Sequence, residues 1–221
     1  MTSGLLNCIS VVDKNRVRAE AGVACPKVAR FSAKNDLISA EFLSGIPGTI
    51  GGALKMNAGA FGGETWDKVE SVETIDRDGN LHTRYPQDYK ISYRHVAGNE
   101  NEWFVAGTFK LVKGEGKKSL SSIKSLLEKR NSSQPTNQPS CGSVFRNPEN
   151  DFAARLIEAC GLKGKCIGGA CVSEKHANFI VNTGSATAAD IEALIETVRE
   201  EVEKQHGIKL IQEAHVIGED L

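Results

Sequence analysis

The sequence predicts an α+β fold in two parts. Short runs of alternating or β-branched apolar residues dominate the first half. Helical periodicity recurs in the second half. A polar, proline-bearing stretch, NSSQPTNQPS at 131–140, lies in the second part.

Taken in order, residues 5–12 (LLNCISVV) read as a strand and 16–21 as its partner, with DKN between them as the turn. CPKVARFSAKNDL follows with a helical pattern. Pro26 suits the first turn, and Val28, Phe31 and Leu37 fall broadly on one face. Residues 68–75 and 81–85 alternate as strands around the hairpin turn DRDGN, and 103–113 (WFVAGTFKLVK) is another strand. Residues 119–129 are expected to be helical and 131–140 to form a surface loop. A helix at 152–160 should stop at Gly161. A short strand is expected at 177–182. The helix at 190–206 places Ile191, Leu194, Ile195, Val198 and Val202 on one side and stops at Gly207. Residues 208–217 read as a final strand. The reading therefore divides the chain at 113/114.

The totals exclude several classes of function. With 221 residues and 40% hydrophobic content, the chain can bury a real core, and a formal net charge of −1 gives no global pull towards nucleic acid or anionic membrane. No apolar run has the length of a membrane span, and MTSGLLNCISVVDKNRVRAE lacks the order of a secretory signal. Six cysteines (Cys8, Cys25, Cys141, Cys160, Cys166, Cys171) show no CxxC and no metal-ligand spacing. They are expected to be reduced thiols of a cytoplasmic protein, with no metal site.

The unusual stretch is SGIPGTIGGALKMNAGAFGG, residues 44–63, in which seven of twenty residues are glycine. Apolar residues are interleaved with the glycines, so it should be packed rather than a linker. Neither a Walker A nor a GxGxxG pattern occurs. Composition alone favours tight turns; the sharper alternative is backbone that lets a phosphate or flat ring approach closely.

This segment resembles the flavin-proximal segment of the UDP-N-acetylenolpyruvoylglucosamine reductases of peptidoglycan synthesis. The likeness continues in order through YKISYRHV (89–96), SCGSVFRNP (140–148), IGGACVSEKHANFIVN (167–182) and KLIQEAHVIGED (209–220). It implies a partial flavin-binding α+β subdomain, 1–113, followed by a C-terminal α+β substrate-binding domain, 114–221. By this resemblance, MTSGLLNCISVV is expected to match the strand after the family's usual opening subdomain and its Gly-Ser-Asn phosphate loop, which the sequence is expected to lack. The missing cover is expected to expose Leu5, Leu6, Ile9 and Val11 and to favour self-association.

By the same resemblance, FAD and NADPH are the cofactors and UDP-N-acetylglucosamine enolpyruvate is the substrate. Gly45, Pro47, Gly48, Thr49, Gly51, Gly52, Asn57 and Gly59 are expected to hold the flavin. Arg94 is expected to stabilise an enolate, Ser143 to donate a proton, and Glu213 to assist that delivery. Arg146, Asn147 and His176 are expected to contact the UDP-sugar. Taken without the resemblance, Arg94 would be an ordinary surface arginine, Ser143 a turn serine and Glu213 a solvated carboxylate. GxSxG is absent, which argues against a hydrolase nucleophile. Two departures stand out: Glu-Ala-His at 213–215, where the family commonly shows Glu-Val-Arg, and Cys166, where it often carries arginine. The competing reading is a non-catalytic UDP-sugar-binding fragment that does not retain FAD.

Overall fold

A computed structural model describes residues 5–218. The chain divides between Lys129 and Arg130 into two compact units. The first contains β1 (Ile9–Asp13), β2 (Arg16–Glu20), α1 (Cys25–Lys34), β3 (Leu37–Ile38) and α2 (Ile50–Met56). It continues through β4 (Gly59–Ala60), β5 (Gly63–Glu64), β6 (Val69–Asp76), β7 (Leu81–Arg84), β8 (Lys90–Ser92), β9 (His95–Ala97), β10 (Glu102–Lys110) and β11 (Val112–Lys113). It also holds most of α3 (Gly116–Ser133). The second contains β12 (Ser140–Ser143), α4 (Ala153–Ala159), β13 (Cys166–Ile167), β14 (Ala170–Val172), β15 (Phe179–Asn182) and α5 (Ala188–His206).

The first unit is built on an antiparallel sheet in the order β1-β2-β10-β6-β7. Alternation in RVRAE turns Val17 and Ala19 into the core, where both are fully buried, and leaves the arginines on the other face. There Arg18 grips Glu73 through two bonds of 2.6 and 2.7 Å, and Arg16 pairs with Glu70. Against the inner face pack α1 and α2, so that Val28, Leu43, Ile50, Leu54, Val72 and Phe109 form one core. Pro26 occupies the first turn of α1, as its fixed φ favours. On edge strand β1, Val11 and Val12 are exposed, as is Leu5 before it, whereas Leu6 and Ile9 are half-buried.

In the second unit the sheet order is β12-β15-β14-β13, again antiparallel. Phe145, Leu156, Ile157, Leu194, Val198 and Val202 make its core. A capping box between Thr187 and Asp190 sets the start of α5 at Ala188, and Gly207, with φ of 68°, closes it. Gly161, with φ of 69°, follows α4 in the same way.

Several expectations are corrected. Within the glycine-rich stretch the chain forms α2, because Ile50, Ala53 and Leu54 meet the core at helical spacing. The polar stretch 131–140 is not all loop, since α3 runs on to Ser133. Residues 208–217 form no regular strand; only Gln212 bridges to Phe145, and the N–H groups of both Glu213 and Ala214 meet the one Val144 carbonyl, which breaks the register a ladder needs. The six cysteines are not all reduced. Cys166 and Cys171 stand opposite each other in the β13–β14 hairpin and are joined as a disulfide. The hairpin turn at Gly168 and Gly169 creates that juxtaposition, which a spacing of five residues alone does not reveal. Cys8, Cys25, Cys141 and Cys160 are free thiols, and burial pushes Cys25 up to about 12.

Candidate active site

In the first unit the glycine-rich stretch wraps α2. Its glycines serve two different ends. At Gly45 an added Cβ would lie 2.5 Å from the Phe61 ring, at Gly51 3.0 Å from the Ala21 Cβ, and at Gly59 2.5 Å from the Gly63 carbonyl oxygen. Those positions are bare so that the protein can pack against itself. At Gly48 and Gly52 an added Cβ would meet nothing within 4 Å. There the backbone is open to an approaching group.

Gly51 and Gly52 line a cleft of about 340 Å³, together with Thr49, Lys55, Tyr89, Phe104 and Trp103. Tyr89 and Phe104 pack against Trp66 and each other as tilted and edge-on rings at centroid distances of 4.9 to 6.1 Å, which fixes an aromatic wall. Burial pushes the Tyr89 phenol up to about 12. Glu102 also lines the cleft, yet its charge is fully engaged. Arg84 donates to both of its oxygens, and Thr74 and Asn99 donate as well. The hydrogen bond from Arg84 is the main reason its carboxyl is held down at about 2.

Arg94 sits with Tyr93 in the tight turn between β8 and β9, with φ of 54°. Its guanidinium Nη2 donates to the Gly59 carbonyl at 3.1 Å and Nη1 to the Asn57 carbonyl at 3.4 Å, with Tyr93 beneath it at 5.1 Å. Asn57, the left-handed residue that ends α2, is buried.

The second unit gathers the other expected residues. Ser143 ends β12 opposite Phe179. The following carbonyl, of Val144, accepts from the Glu213 N–H at 2.7 Å, and the Arg146 N–H donates to the Ile211 carbonyl at 2.8 Å. Ser143 and Glu213 thus lie on paired segments. Asn178 locks this pairing by exchanging two bonds with Phe145. The ring of His176 lies edge-on to Phe179 at 4.9 Å. Its basicity is lowered by burial and then by Lys163 nearby. Two buried side-chain nitrogens find no hydrogen-bond partner among the described residues: Arg146 Nε and His176 Nδ1. The Asn147 side chain is partly committed, since its oxygen accepts from the Ala153 N–H at the start of α4.

Comparison with known proteins fits this division. The FAD-binding domain family matches residues 1–84, and the UDP-N-acetylenolpyruvoylglucosamine reductase C-terminal domain matches 134–217. The UDP-N-acetylenolpyruvoylglucosamine reductase of Alkalilimnicola ehrlichii is 56% identical over 219 residues, covering 99% of this chain and 73% of that protein. The enzyme of the same name from Legionella pneumophila strain Paris is 56% identical over 220 residues, with the same coverage. The chain belongs to the UDP-N-acetylenolpyruvoylglucosamine reductase family. The crystal structure of the Thermus caldophilus reductase superposes with a TM-score of 0.81 at 34% identity, covering 90% of this chain and 71% of that one.

Members of this reductase family are flavoprotein oxidoreductases that use FAD and NADPH. The residues present fit FAD. Gly48 and Gly52 leave open backbone, Tyr89 and Phe104 give an aromatic wall, and Lys55 supplies a cation to the same cleft. Of the cleft residues, Lys55, Tyr89 and Glu102 were not foreseen from sequence. Lys55 had a signal, being the lone cation within the glycine-rich stretch. Glu102 had none, because its partners Thr74 and Arg84 come from other strands.

Proposed function

We propose that this chain reduces the enolpyruvyl ether of UDP-N-acetylglucosamine enolpyruvate to the lactyl ether of UDP-N-acetylmuramate. The reductant is NADPH, and the setting is peptidoglycan precursor synthesis in the cytoplasm. The observation that carries the reading is the pairing of the Ser143 and Glu213 segments beside two unpartnered buried nitrogens, Arg146 Nε and His176 Nδ1. Buried polar nitrogens without partners are uncommon, and the Arg146 Nε–H is a natural donor to a polyanionic ligand.

Gly48, Gly52, Lys55 and Tyr89 would hold FAD. Bound FAD supplies the relay of two electrons from NADPH to the substrate double bond. Hydride addition at the terminal enolpyruvyl carbon leaves negative charge on the carboxylate-bearing carbon. Arg94 offers a permanent, planar cation to that charge. The Ser143 hydroxyl gives its proton to the carboxylate-bearing carbon and recovers one from solvent, with Glu213 orienting the exchange. Arg146, Asn147 and His176 bind the UDP-sugar.

The test is NADPH oxidation by the FAD-loaded chain with and without UDP-N-acetylglucosamine enolpyruvate, with the product identified by mass. Arg94→Ala should lower kcat by roughly 10²–10³, and Ser143→Ala by roughly 10²–10⁴. Full activity in Ser143→Ala would remove its assigned role. A UDP-N-acetylglucosamine thermal shift without any retained flavin would instead favour the binding-only reading.

A further inference from the structure

We infer that Asn57 is a positioning residue for Arg94 and acts through that guanidinium rather than on a ligand. The inference rests on the catalytic reading of Arg94 given above. The carboxamide of Asn57 has two donors and one oxygen, and the protein engages all three. Its Nδ2 donates to Glu64 Oε2 at 2.7 Å and to the Ser92 carbonyl at 3.2 Å, while its Oδ1 accepts from the Trp66 N–H at 3.1 Å. Ser92 is the residue that enters the Arg94 turn. The same asparagine therefore holds the turn from below with its side chain and receives the arginine with its own carbonyl.

Two further features tighten the arrangement. Asn57 is left-handed, with φ of 42°, which turns the chain so that its carbonyl and that of Gly59 both meet the guanidinium. At Gly59 an added Cβ would lie 3.2 Å from Glu64 Cγ and 3.3 Å from Arg94 Nη1. The arginine and the glutamate that anchors Asn57 thus flank one bare backbone position. Four elements (the end of α2, the β4–β5 hairpin, the turn before β6 and the β8–β9 turn) are tied at one amide. A misplacement of about 1 Å of a charge-stabilising group is enough to slow a reaction by roughly 10²-fold.

Asn57→Gly tests this, because glycine keeps the left-handed backbone while removing the amide. The first readout needs no turnover. In protein labelled with nitrogen-15 arginine, the Arg94 Nε–Hε signal, assigned by its loss in Arg94→Lys, should move to the position of solvent-exposed arginines in Asn57→Gly. The Arg84 signal should stay where it is. An unmoved Arg94 signal in folded Asn57→Gly overturns the inference. If Asn57→Gly does not fold, Asn57→Asp is read the same way; it keeps the acceptor for Trp66 and loses both donors.

The second readout is a kinetic cycle. Asn57→Gly alone should lower kcat by roughly 10- to 100-fold. In an Arg94→Ala background the same change should alter kcat by less than about twofold. Independent, multiplying effects would refute action through Arg94. Unchanged kcat in Arg94→Ala alone would instead refute the catalytic reading, and the spectroscopic result would still decide positioning.

Discussion

Gly51 and Gly52 are neighbours in one short helix, yet alanine should act on them in opposite directions. At Gly52 the new methyl meets nothing within 4 Å. Replacing a helical glycine by alanine then gains about 0.5–1 kcal/mol from reduced backbone freedom. At Gly51 the methyl would stand 3.0 Å from the Ala21 Cβ and 3.2 Å from the Ala21 carbonyl oxygen, which already accepts the Gly51 N–H at 2.9 Å. Ala21 must retreat and stretch that bond. Overpacking of this kind costs about 1–3 kcal/mol, so the net change is a loss of about 1–2 kcal/mol. The two variants should differ by about 2 kcal/mol, or roughly 4–8 °C in Tm for a domain of this size. Thermal unfolding of the flavin-free chain measures it. Fluorescence titration with FAD adds the functional half. Gly52→Leu should fold, yet weaken FAD binding at least about tenfold, because its side chain enters the cleft. Equal Tm values for the two alanine variants would refute the packing argument, and unchanged FAD affinity in Gly52→Leu would refute the cleft as the flavin's place.

Other consequences are open to direct measurement. Glu102 should stabilise the first unit fully above its ordinary value of 4.5 and progressively less as pH falls from there towards about 2. Glu102→Gln should flatten urea-measured stability over that window, with a difference on the order of 2 kcal/mol at neutral pH after allowance for solvent screening at the cleft mouth. Reduction of the Cys166–Cys171 bridge, or Cys166→Ser, should lower the stability of the second unit by about 2 kcal/mol, the entropy released when so short a loop is opened. A Tm insensitive to reductant would refute this. Addition of UDP-N-acetylglucosamine should raise Tm in a dose-dependent way, and Arg146→Ala should abolish most of that shift without lowering the Tm of the free protein by more than about 1 °C. An undiminished shift would take Arg146 out of the binding site.

The sequence alone settled the parts of this protein that depend on neighbouring residues. RVRAE alternates, so β2 buries Val17 and Ala19. DRDGN turns between β6 and β7, and the apolar spacing and Gly207 bound α5 at its C-terminus. Local periodicity and turn chemistry need no knowledge of what lies across the core. The ordered motifs likewise carried the family resemblance, which the comparisons bear out at 56% identity.

What only the tertiary structure decided depends on approach from afar. Glycine in sequence says that backbone is bare but not what occupies the space. The fold distinguishes Gly51, pressed by Ala21, from Gly52, which is open. Residues 208–217 look like a strand, yet the path beside Phe145 gives them one bridge before the register breaks at the Val144 carbonyl. A hairpin joins Cys166 to Cys171 although the spacing does not announce it. The resemblance counts Asn57 among the flavin-holding residues; only packing reveals that its amide meets Glu64, Ser92 and Trp66 at once. Each of these rests on contacts between segments distant in sequence or turned by a hairpin, and such contacts exist only once the core has closed.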